Sequence, residues 1–357
     1  MSKIKALSGI IGQRETAVIA AVVDEITAKP MEQLGLKLMP VKAYPQHLIY
    51  VDQVSGFGGL LGEREFGAEG KVSTVSSATT LEYSPAAYQD SKRFTEKDLI
   101  ALRRLGGIGD RGATGITSGA LDFMGRAAED LKWKLINRLN KLAWDSLFTG
   151  IWTFNGVTKA NFGIPTAITP ASTWSNNTSS TPMKDLLTIL RTNPAIFKYK
   201  IKEIIINPVT AVAFLESAEV RNVVINNAFA VGDLNKAKDI LYPGLPPFVV
   251  CADAWQDQVV TAGVVTHSAA TYFIPNYGAL LVPDFSGYMY PQLGEIQMTY
   301  NMNDPASTVE NPAMGVYTFV DEQGLQHRKA PWVDVVCGFN GGPAVIRQND
   351  VLIVQGA

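Results

Sequence analysis

Residues that carry chemistry are scarce in this sequence, and each scarcity removes a class of function. Three histidines, His47, His267 and His327, are the whole supply in 357 residues. None lies at a spacing that would put two metal ligands on one helix face or one hairpin, so a metal site is not expected. Cysteine is as sparse: Cys251 and Cys337 stand alone in apolar, strand-like runs. Two isolated thiols in a chain of this length fit a reducing cytoplasm rather than a disulfide framework, and both read as buried and inert. Charged residues make up only 18% of the chain, against a usual share of about 25%. With 31 Lys and Arg against 33 Asp and Glu, the net charge is -2. No basic field is present to grip nucleic-acid phosphates, so sequence-specific reading of DNA is not expected. A surface so short of charge suits a protein whose faces are covered by neighbours.

Long apolar runs and catalytic signatures are missing too. No stretch reaches the roughly 18 apolar residues of a membrane span, and the N-terminal MSKIKALSGIIGQRE has neither an unbroken apolar segment nor a small-residue cleavage site. Secretion and membrane insertion both drop out. There is no Gly-x-Ser-x-Gly elbow, and neither cysteine has a histidine near it in sequence, so no nucleophile is marked. Gly107, Gly109 and Gly112 form a Gly-x-Gly-x-x-Gly pattern, but a dinucleotide fingerprint follows a strand, whereas here a helical segment precedes it. The pattern reads as a joint between two helices. Gly70-Lys71 lacks the rest of a phosphate-binding loop, and no internal repeat of 20 to 50 residues is present. These patterns point to no catalytic residue and no cofactor.

What is present is a large apolar share, 46% of the chain, enough for about two or three structural units. Val18, Ile19, Val22, Val23 and Ile26 predict a helix over 13–28, stopped by Pro30. Residues 31–52 read as extended pieces broken by Pro40 and Pro45, ending in a strand over 47–51. Residues 55–70 then hold six glycines, at 56, 58, 59, 62, 67 and 70, with Glu63, Arg64, Glu65 and Glu69. That composition reads as a long projecting hairpin, either an arm that touches a partner or a floppy insertion. Glu63 and Glu65 share a face if the segment is a strand. No apolar pocket accompanies them to separate their pKa values, so ion pairs with a partner are the simpler role.

After a short helix over 95–105 comes the strongest periodic signal. Leu121, Met124, Ala128, Leu131, Leu135, Leu139 and Leu142 follow steps of three and four. Arg126, Glu129, Lys132, Arg138, Lys141 and Asp145 sit mostly off that stripe. Ser118 as N-cap and Gly150 as stop give one helix of about 30 residues and roughly 45 Å, a spine for the fold. Its single apolar face favours packing on a sheet of its own chain over a coiled coil. Residues 151–182 carry one charge, Lys159, and end in the loop-like tract 172–180, where a boundary is expected. Helices over 182–191, 208–216 and 234–240 then alternate with strands over 203–206 and 248–251, followed by strands at 272–274 and 279–282. The last third is strand-rich, at 296–301, 315–321, 332–337 and 351–355, with a turn at Gln323-Gly324.

In this order the elements resemble the major head protein of tailed bacteriophages, specifically the lambda-type capsid protein E family. The resemblance rests on Tyr44-Pro45-Gln46-His47-Leu48-Ile49-Tyr50-Val51 before the glycine-rich segment, and on Tyr83-Ser84-Pro85 after it. It continues through Phe94-Thr95-Glu96-Lys97-Asp98-Leu99, Leu102-Arg103-Arg104-Leu105-Gly106 and the helix end Ala143-Trp144-Asp145-Ser146-Leu147-Phe148-Thr149-Gly150. Ile204-Ile205-Ile206-Asn207-Pro208, Phe273-Ile274-Pro275, Ala344-Val345-Ile346 and Val351-Leu352-Ile353-Val354 complete it.

The resemblance implies an α+β, Hong Kong 97-type phage capsid fold. Its parts would be an N-terminal arm at 1–50, an extended loop at 51–94, a peripheral domain with the spine helix at 95–184 and 289–337, and an axial domain at 185–288 and 338–357. It implies a shell protein and not an enzyme: hexamers and pentamers of this chain around packaged double-stranded DNA held non-specifically, in a virion assembled in the host bacterial cytoplasm. A portal protein and a decoration protein are further implied partners. Glu63, Arg64, Glu65 and Glu69 become contacts between subunits, and Leu131, Leu135, Leu139 and Leu142 the buried face of the spine. No long charged segment precedes Gln13 and the sequence starts at Met1, so a separate scaffolding protein is expected rather than a cleaved, fused one. Some relatives weld subunits through a Lys–Asn bond; neither Lys71 nor Asn340 aligns to that chemistry. Two other readings stay open: an encapsulin-like bacterial nanocompartment of the same fold, and an α/β enzyme whose site is assembled from distant residues.

Overall fold

The computed structural model describes residues 33–53, 79–95, 118–192, 200–227, 233–256, 258–261, 264–286, 291–304, 307–320 and 332–356. In chain order the elements are α1 (Leu34–Leu38), β1 (Val41–Ala43), β2 (Ile49–Gln53), β3 (Thr79–Tyr83), β4 (Ala86–Thr95), α2 (Ser118–Thr149), β5 (Ile151–Phe154), β6 (Val157–Asn161) and α3 (Pro182–Thr192). Then come β7 (Ile201–Ile206), α4 (Pro208–Leu215), α5 (Ala218–Asn227), α6 (Leu234–Leu241), β8 (Phe248–Val250), β9 (Ala254–Trp255), β10 (Gln258–Thr261), β11 (Val264–His267) and β12 (Thr271–Tyr272). The last are β13 (Gly278–Pro283), β14 (Gly294–Thr299), β15 (Gly315–Val320), β16 (Trp332–Val345) and β17 (Leu352–Gln355). The chain divides into two compact units: Met1–Ile49, Tyr83–Leu142 and Ile296–Gly342 form one, and Tyr50–Glu82, Ala143–Glu295 and Pro343–Ala357 the other.

The first unit is organised by β16, a 14-residue strand. Residues 333–338 of β16 pair antiparallel with β15, and residues 332–341 pair antiparallel with β4 on the other side. The same strand reaches β14, which pairs in parallel with β1 at Val41↔Ile296. Alternation puts Val335, Cys337 and Phe339 on one face, opposite Lys92, Asp90 and Tyr88 of β4. Phe94, Val335 and Cys337 from this face close over Ala127, Ala128 and Leu131 of α2 in one buried cluster.

The second unit is built on a four-stranded sheet in the order β17-β13-β7-β8, with β7 and β8 parallel and the other pairs antiparallel. Every residue of β13 is buried, as are Ile204, Ile205 and Ile206 of β7, so these strands read as continuous apolar runs rather than alternating ones. Rings interlock in this core: Trp174 meets Phe214 edge-on at 4.9 Å, and Phe214 meets Phe248 edge-on at 5.8 Å. Asn207 caps α4 by accepting the Thr210 N–H at 2.7 Å, with Pro208 in the first turn.

Several elements differ from the sequence reading. A short helix, α1, interrupts the run expected to be extended. Residues 86–95, expected within a loop and the start of a helix, form the ten-residue strand β4. Its polar residues are answered by α2 and β16, a compensation no local pattern carries. β16 continues past the expected end at Cys337 through Gly338, Gly341, Gly342 and Pro343 to Val345. Glycine there marks close backbone approach rather than a loop. Of the segment expected at 272–274 only Tyr272 is strand, together with Thr271 in β12, and α5 was not anticipated. The tract 172–180 is irregular but lies inside the second unit, where Trp174 is fully buried. The helix expected over 13–28, the segment 55–70, the remainder of the helix over 95–105, the Gly107 motif and the Gln323-Gly324 turn lie outside the described residues.

The closest approach along β16 generates a test. A Cβ on Gly341 would stand 2.3 Å from the Gln297 carbonyl oxygen, a backbone atom that cannot swing aside. Gly341→Ala should therefore lower stability by about 2 kcal/mol or more through backbone displacement. Chemical denaturation of the variant beside the parent checks this, and an unchanged midpoint would show that β14 and β16 separate freely.

Candidate assembly surfaces

The spine helix is held by two matched periods. Along β4, Tyr88, Asp90, Lys92 and Phe94 alternate onto one face. On α2 the partners follow in steps of four: Arg138 lies over the Tyr88 ring at 5.5 Å, Lys134 bonds Asp90 at 2.9 Å, and Asp130 bonds Lys92 at 2.5 Å. Phe94 then enters the cluster around Ala127 and Leu131. Two strand residues rise about 6.6 Å and four helix residues about 6 Å, so an antiparallel strand and helix stay in register over the ladder. The pairs are half-exposed and are worth about 0.2–1 kcal/mol each, so they align the helix while apolar burial holds it.

The buried face of α2 is broader than the expected stripe. Leu131, Leu139 and Leu142 are buried, whereas Leu135 is half-buried and packs at the edge of the cluster. Ile136 (2% exposed), Ala143, Trp144 and Leu147 are buried beside that row. Lys132, expected on the solvent side, is buried as well. The helix runs from Ser118 to Thr149, and Gly150 follows it.

The four charged residues expected to contact other subunits, Glu63, Arg64, Glu65 and Glu69, lie outside the described residues. What flanks them is described: β2 pairs with β3, so the chain leaves Gln53 and returns at Thr79 on neighbouring strands. Ile49, Val51 and Gln53 are buried, Gln53 Nε2 donates to the Phe162 carbonyl at 2.9 Å, and Thr80 Oγ1 donates to Asp52 at 2.7 Å.

A β-hairpin escaped the sequence reading. β5 and β6 form a hairpin whose turn, Asn155-Gly156, has φ of 49° and 75°. Positive φ at both central residues is the type I′ geometry that Asn-Gly favours, and Phe154-Asn155-Gly156-Val157 was the available signal. Trp152 and Ala160 anchor the hairpin, while Val157 is 61% exposed beside the turn. Val212 on α4, Ile240 on α6 and Met302 after β14 are other large apolar side chains open to solvent.

Among the described residues, both cysteines and Ser172 are silenced or occupied. Burial pushes the Cys251 and Cys337 thiols up to about 12, which keeps them protonated. Ser172 Oγ donates to Asp185 at 2.5 Å and accepts from the Thr181 N–H at 3.0 Å. The same Asp185 oxygen accepts from Trp174 Nε1 at 3.2 Å, so the arrangement ties the 172–181 tract to α3. Among the described residues no cluster of three metal-ligating side chains is present, and no helix is long and apolar enough to cross a membrane.

Beside this knot, Glu219 of α5 caps α3 from outside, accepting the Met183 N–H at 2.6 Å and the Lys184 N–H at 3.3 Å. Burial raises its pKa above the ordinary 4.5, against the lowering effect of those N–H groups and the Tyr242 hydroxyl; Asp185 nearby adds to the rise. A raised folded-state pKa means that the native state holds the proton more tightly than the unfolded chain. The resulting stabilisation is complete below pH 4.5 and is lost as pH rises through the folded pKa. Glu219→Gln should abolish this dependence, so the stability difference between parent and variant should vary with pH just above 4.5. Denaturation across that range reads it; a constant difference would rule out Glu219 as the titrating group. The helix face is tested in the same way: Ile136→Asp should destabilise more than Leu135→Asp, by about 1 kcal/mol or more, because only the former carboxylate is fully cut off from water. Equal losses would show that the two positions are buried alike.

No family model and no curated protein matches the sequence. Solved structures do match. The putative capsid protein of a prophage of E. coli CFT073 aligns over 96% of this chain and 99% of its own length, with a TM-score of 0.58 at 11% identity. The capsid of the Myoviridae phage XM1 aligns over 89% of this chain and 90% of its own, with a TM-score of 0.46 at 11% identity. The holo-SrpI encapsulin complex of Synechococcus elongatus PCC 7942 covers 90% and 86%, with a TM-score of 0.42 at 10% identity. With β16 at the centre of one unit, the β7–β13 sheet at the centre of the other and the long helix α2, the chain has the α+β Hong Kong 97-type fold.

Proposed function

We propose that this chain is the major capsid protein of a tailed bacteriophage, of the lambda-type capsid protein E family, and that copies of it build the icosahedral head around packaged double-stranded DNA. The observation that carries the reading is the two-way coverage: 96% of this chain aligns with 99% of the putative capsid protein of the prophage. Little of either chain is left over for a separate activity. A structural role over an enzymatic one is supported by the protonated thiols and by the fully engaged Ser172 hydroxyl.

In this reading residues 1–50 are the arm, 51–94 the extended loop, 95–184 and 289–337 the peripheral domain, and 185–288 and 338–357 the axial domain. The subunits form hexamers and pentamers. A portal, a separate scaffolding protein and a decoration protein are the partners, and the virion is the location. Glu63, Arg64, Glu65 and Glu69 pair with charges on a neighbouring subunit. The adjacency of β2 and β3 supports a loop that leaves and returns at one place.

Electron microscopy of particles from infected cells making the protein together with its partners tests the function. DNA-filled heads are expected; shells filled with protein cargo would instead make it a nanocompartment, and absence of any particle would refute both. The loop has its own test. Replacing residues 56–70 with a short Gly-Ser turn should leave the melting of the isolated subunit nearly unchanged, since closure entropy varies slowly with loop length. Closed shells should disappear. Normal shell counts from the shortened protein would make the segment a dispensable insertion, and an unfolded subunit would place it in the core.

A further inference from the structure

The sheet of the second unit contains strands with the composition of aggregation-prone segments: Ile204-Ile205-Ile206, Ala279-Leu280-Leu281-Val282, Phe248-Val249-Val250 and Leu352-Ile353-Val354. Its outer strands are β17 and β8. An outer strand offers a row of N–H and C=O groups to any other extended chain.

At the β17 edge this row is taken. Ile168 donates its N–H to the Ile353 carbonyl at 2.8 Å and accepts from the Gln355 N–H at 3.0 Å, and Trp174 donates to the Gly356 carbonyl at 3.2 Å.

At the β8 edge the register fixes which groups point outward. Ile204 N–H bonds the Pro247 carbonyl and Cys251 N–H bonds the Ile206 carbonyl. In a parallel pair with Ile205↔Val249, Val249 therefore faces β7 with both its groups, and Phe248 and Val250 face away. The Asn235 side chain occupies Phe248: its Oδ1 accepts the Phe248 N–H at 2.8 Å and its Nδ2 donates to the Phe248 carbonyl at 3.0 Å. One amide side chain thus makes both bonds that a strand residue would make. The side chain is held in place by its own helix. Asp233 caps α6 by accepting the Asn235 N–H at 2.9 Å, and Lys238 Nζ donates to the Leu245 carbonyl at 3.2 Å, just ahead of β8. Pro246 and Pro247, next in the chain, have no N–H to offer. Val250, 45% exposed, is the one outward-facing residue of β8 left uncovered.

We propose that Asn235 is an edge guard: its amide stands in for a neighbouring strand on β8 and keeps a second copy of this chain from extending the sheet. Contacts between copies through this unit then form through side chains and not by strand addition. The inference holds whether or not the chain builds a shell, because it concerns what the subunit must avoid whenever copies are concentrated.

Hydrogen exchange on the parent protein gives the first test. Both amides sit on the outer side of an edge strand, yet Phe248 should exchange at least about tenfold more slowly than Val250. Equal rates, or a Val250 amide as protected as Phe248 in assembled material, would mean that the edge is not guarded in this way. Variants give the second. Asn235→Ala should speed Phe248 exchange at least about tenfold and produce concentration-dependent association, seen by sedimentation and thioflavin binding, where the parent shows none. Adding Val250→Pro removes the remaining outward N–H without touching the β7 pairing and should suppress that association. An Asn235→Ala protein that stays as dispersed as the parent, or association that Val250→Pro leaves intact, overturns the proposal. If Asn235→Ala does not fold, the exchange comparison in the parent still decides.

Discussion

The constraint on which the first unit depends is the commensurability of a strand and a helix. β4 carries too little apolar area to hold itself to the sheet, and five of its consecutive residues, Gln89 to Arg93, are polar. It is a strand because β16 pairs along its whole length and because α2 answers it at every second residue. The rises of about 6.6 Å and 6 Å differ by about a tenth, so the register holds for three ladder steps and ends in the Phe94 cluster before the mismatch accumulates. The ionic rungs contribute direction more than strength. Opposite signs alternate along both elements, Asp90 then Lys92 on the strand and Asp130 then Lys134 on the helix, so a shift by one rung would oppose like charges.

The second unit solves the opposite problem. Its strands bury themselves readily, since β13 and the Ile204–Ile206 half of β7 are apolar on both faces. What they need is polar bonding at the places where the sheet could go on growing. That role falls to backbone at Ile168 and Trp174 and to the side-chain amide of Asn235, while the carboxylates of Asp185 and Glu219 bond main-chain N–H groups around α3. Most of these polar side chains answer backbone rather than another side chain, the usual distribution in folded proteins.

How much of this could be read from sequence depended on whether the signal was local. The spine was legible because its apolar residues recur at helical spacing and Gly150 ends the pattern, although its exact buried face was not. Leu135 and Ile136 are equally apolar neighbours, and only tertiary packing decides which is covered more fully. The β7, β8 and β13 strands were legible as apolar runs between turn residues, and β14 as an alternating segment. β4 was not, because its charges are neutralised by α2 residues about 40 positions further on. The burial of Trp174 was not legible for a related reason: its Ser, Thr and Asn neighbours mark a loop, as the structure has it, but Asp185 and the Phe214 ring draw the indole inward. Of the candidate contact residues, the sequence supplied Glu63, Arg64, Glu65 and Glu69, whereas the Asn155-Gly156 hairpin was present as a plain turn signal and went unread.

These features bear on why a chain of such low charge, 18%, can remain specific in its contacts. Charge normally keeps proteins apart, and a deficit invites association of any kind. If association is the function, the useful device is to make the indiscriminate route costly and leave the selective ones open. Strand addition is the indiscriminate route, since any extended segment can supply backbone hydrogen bonds. Side-chain contacts at Val157, Val212 or Met302 require a complementary surface, and they are where apolar area is left exposed. Covering most of the β17 and β8 edges while leaving such residues open would shift association from backbone to side chain, from contacts that any strand satisfies to contacts that only a fitted partner does.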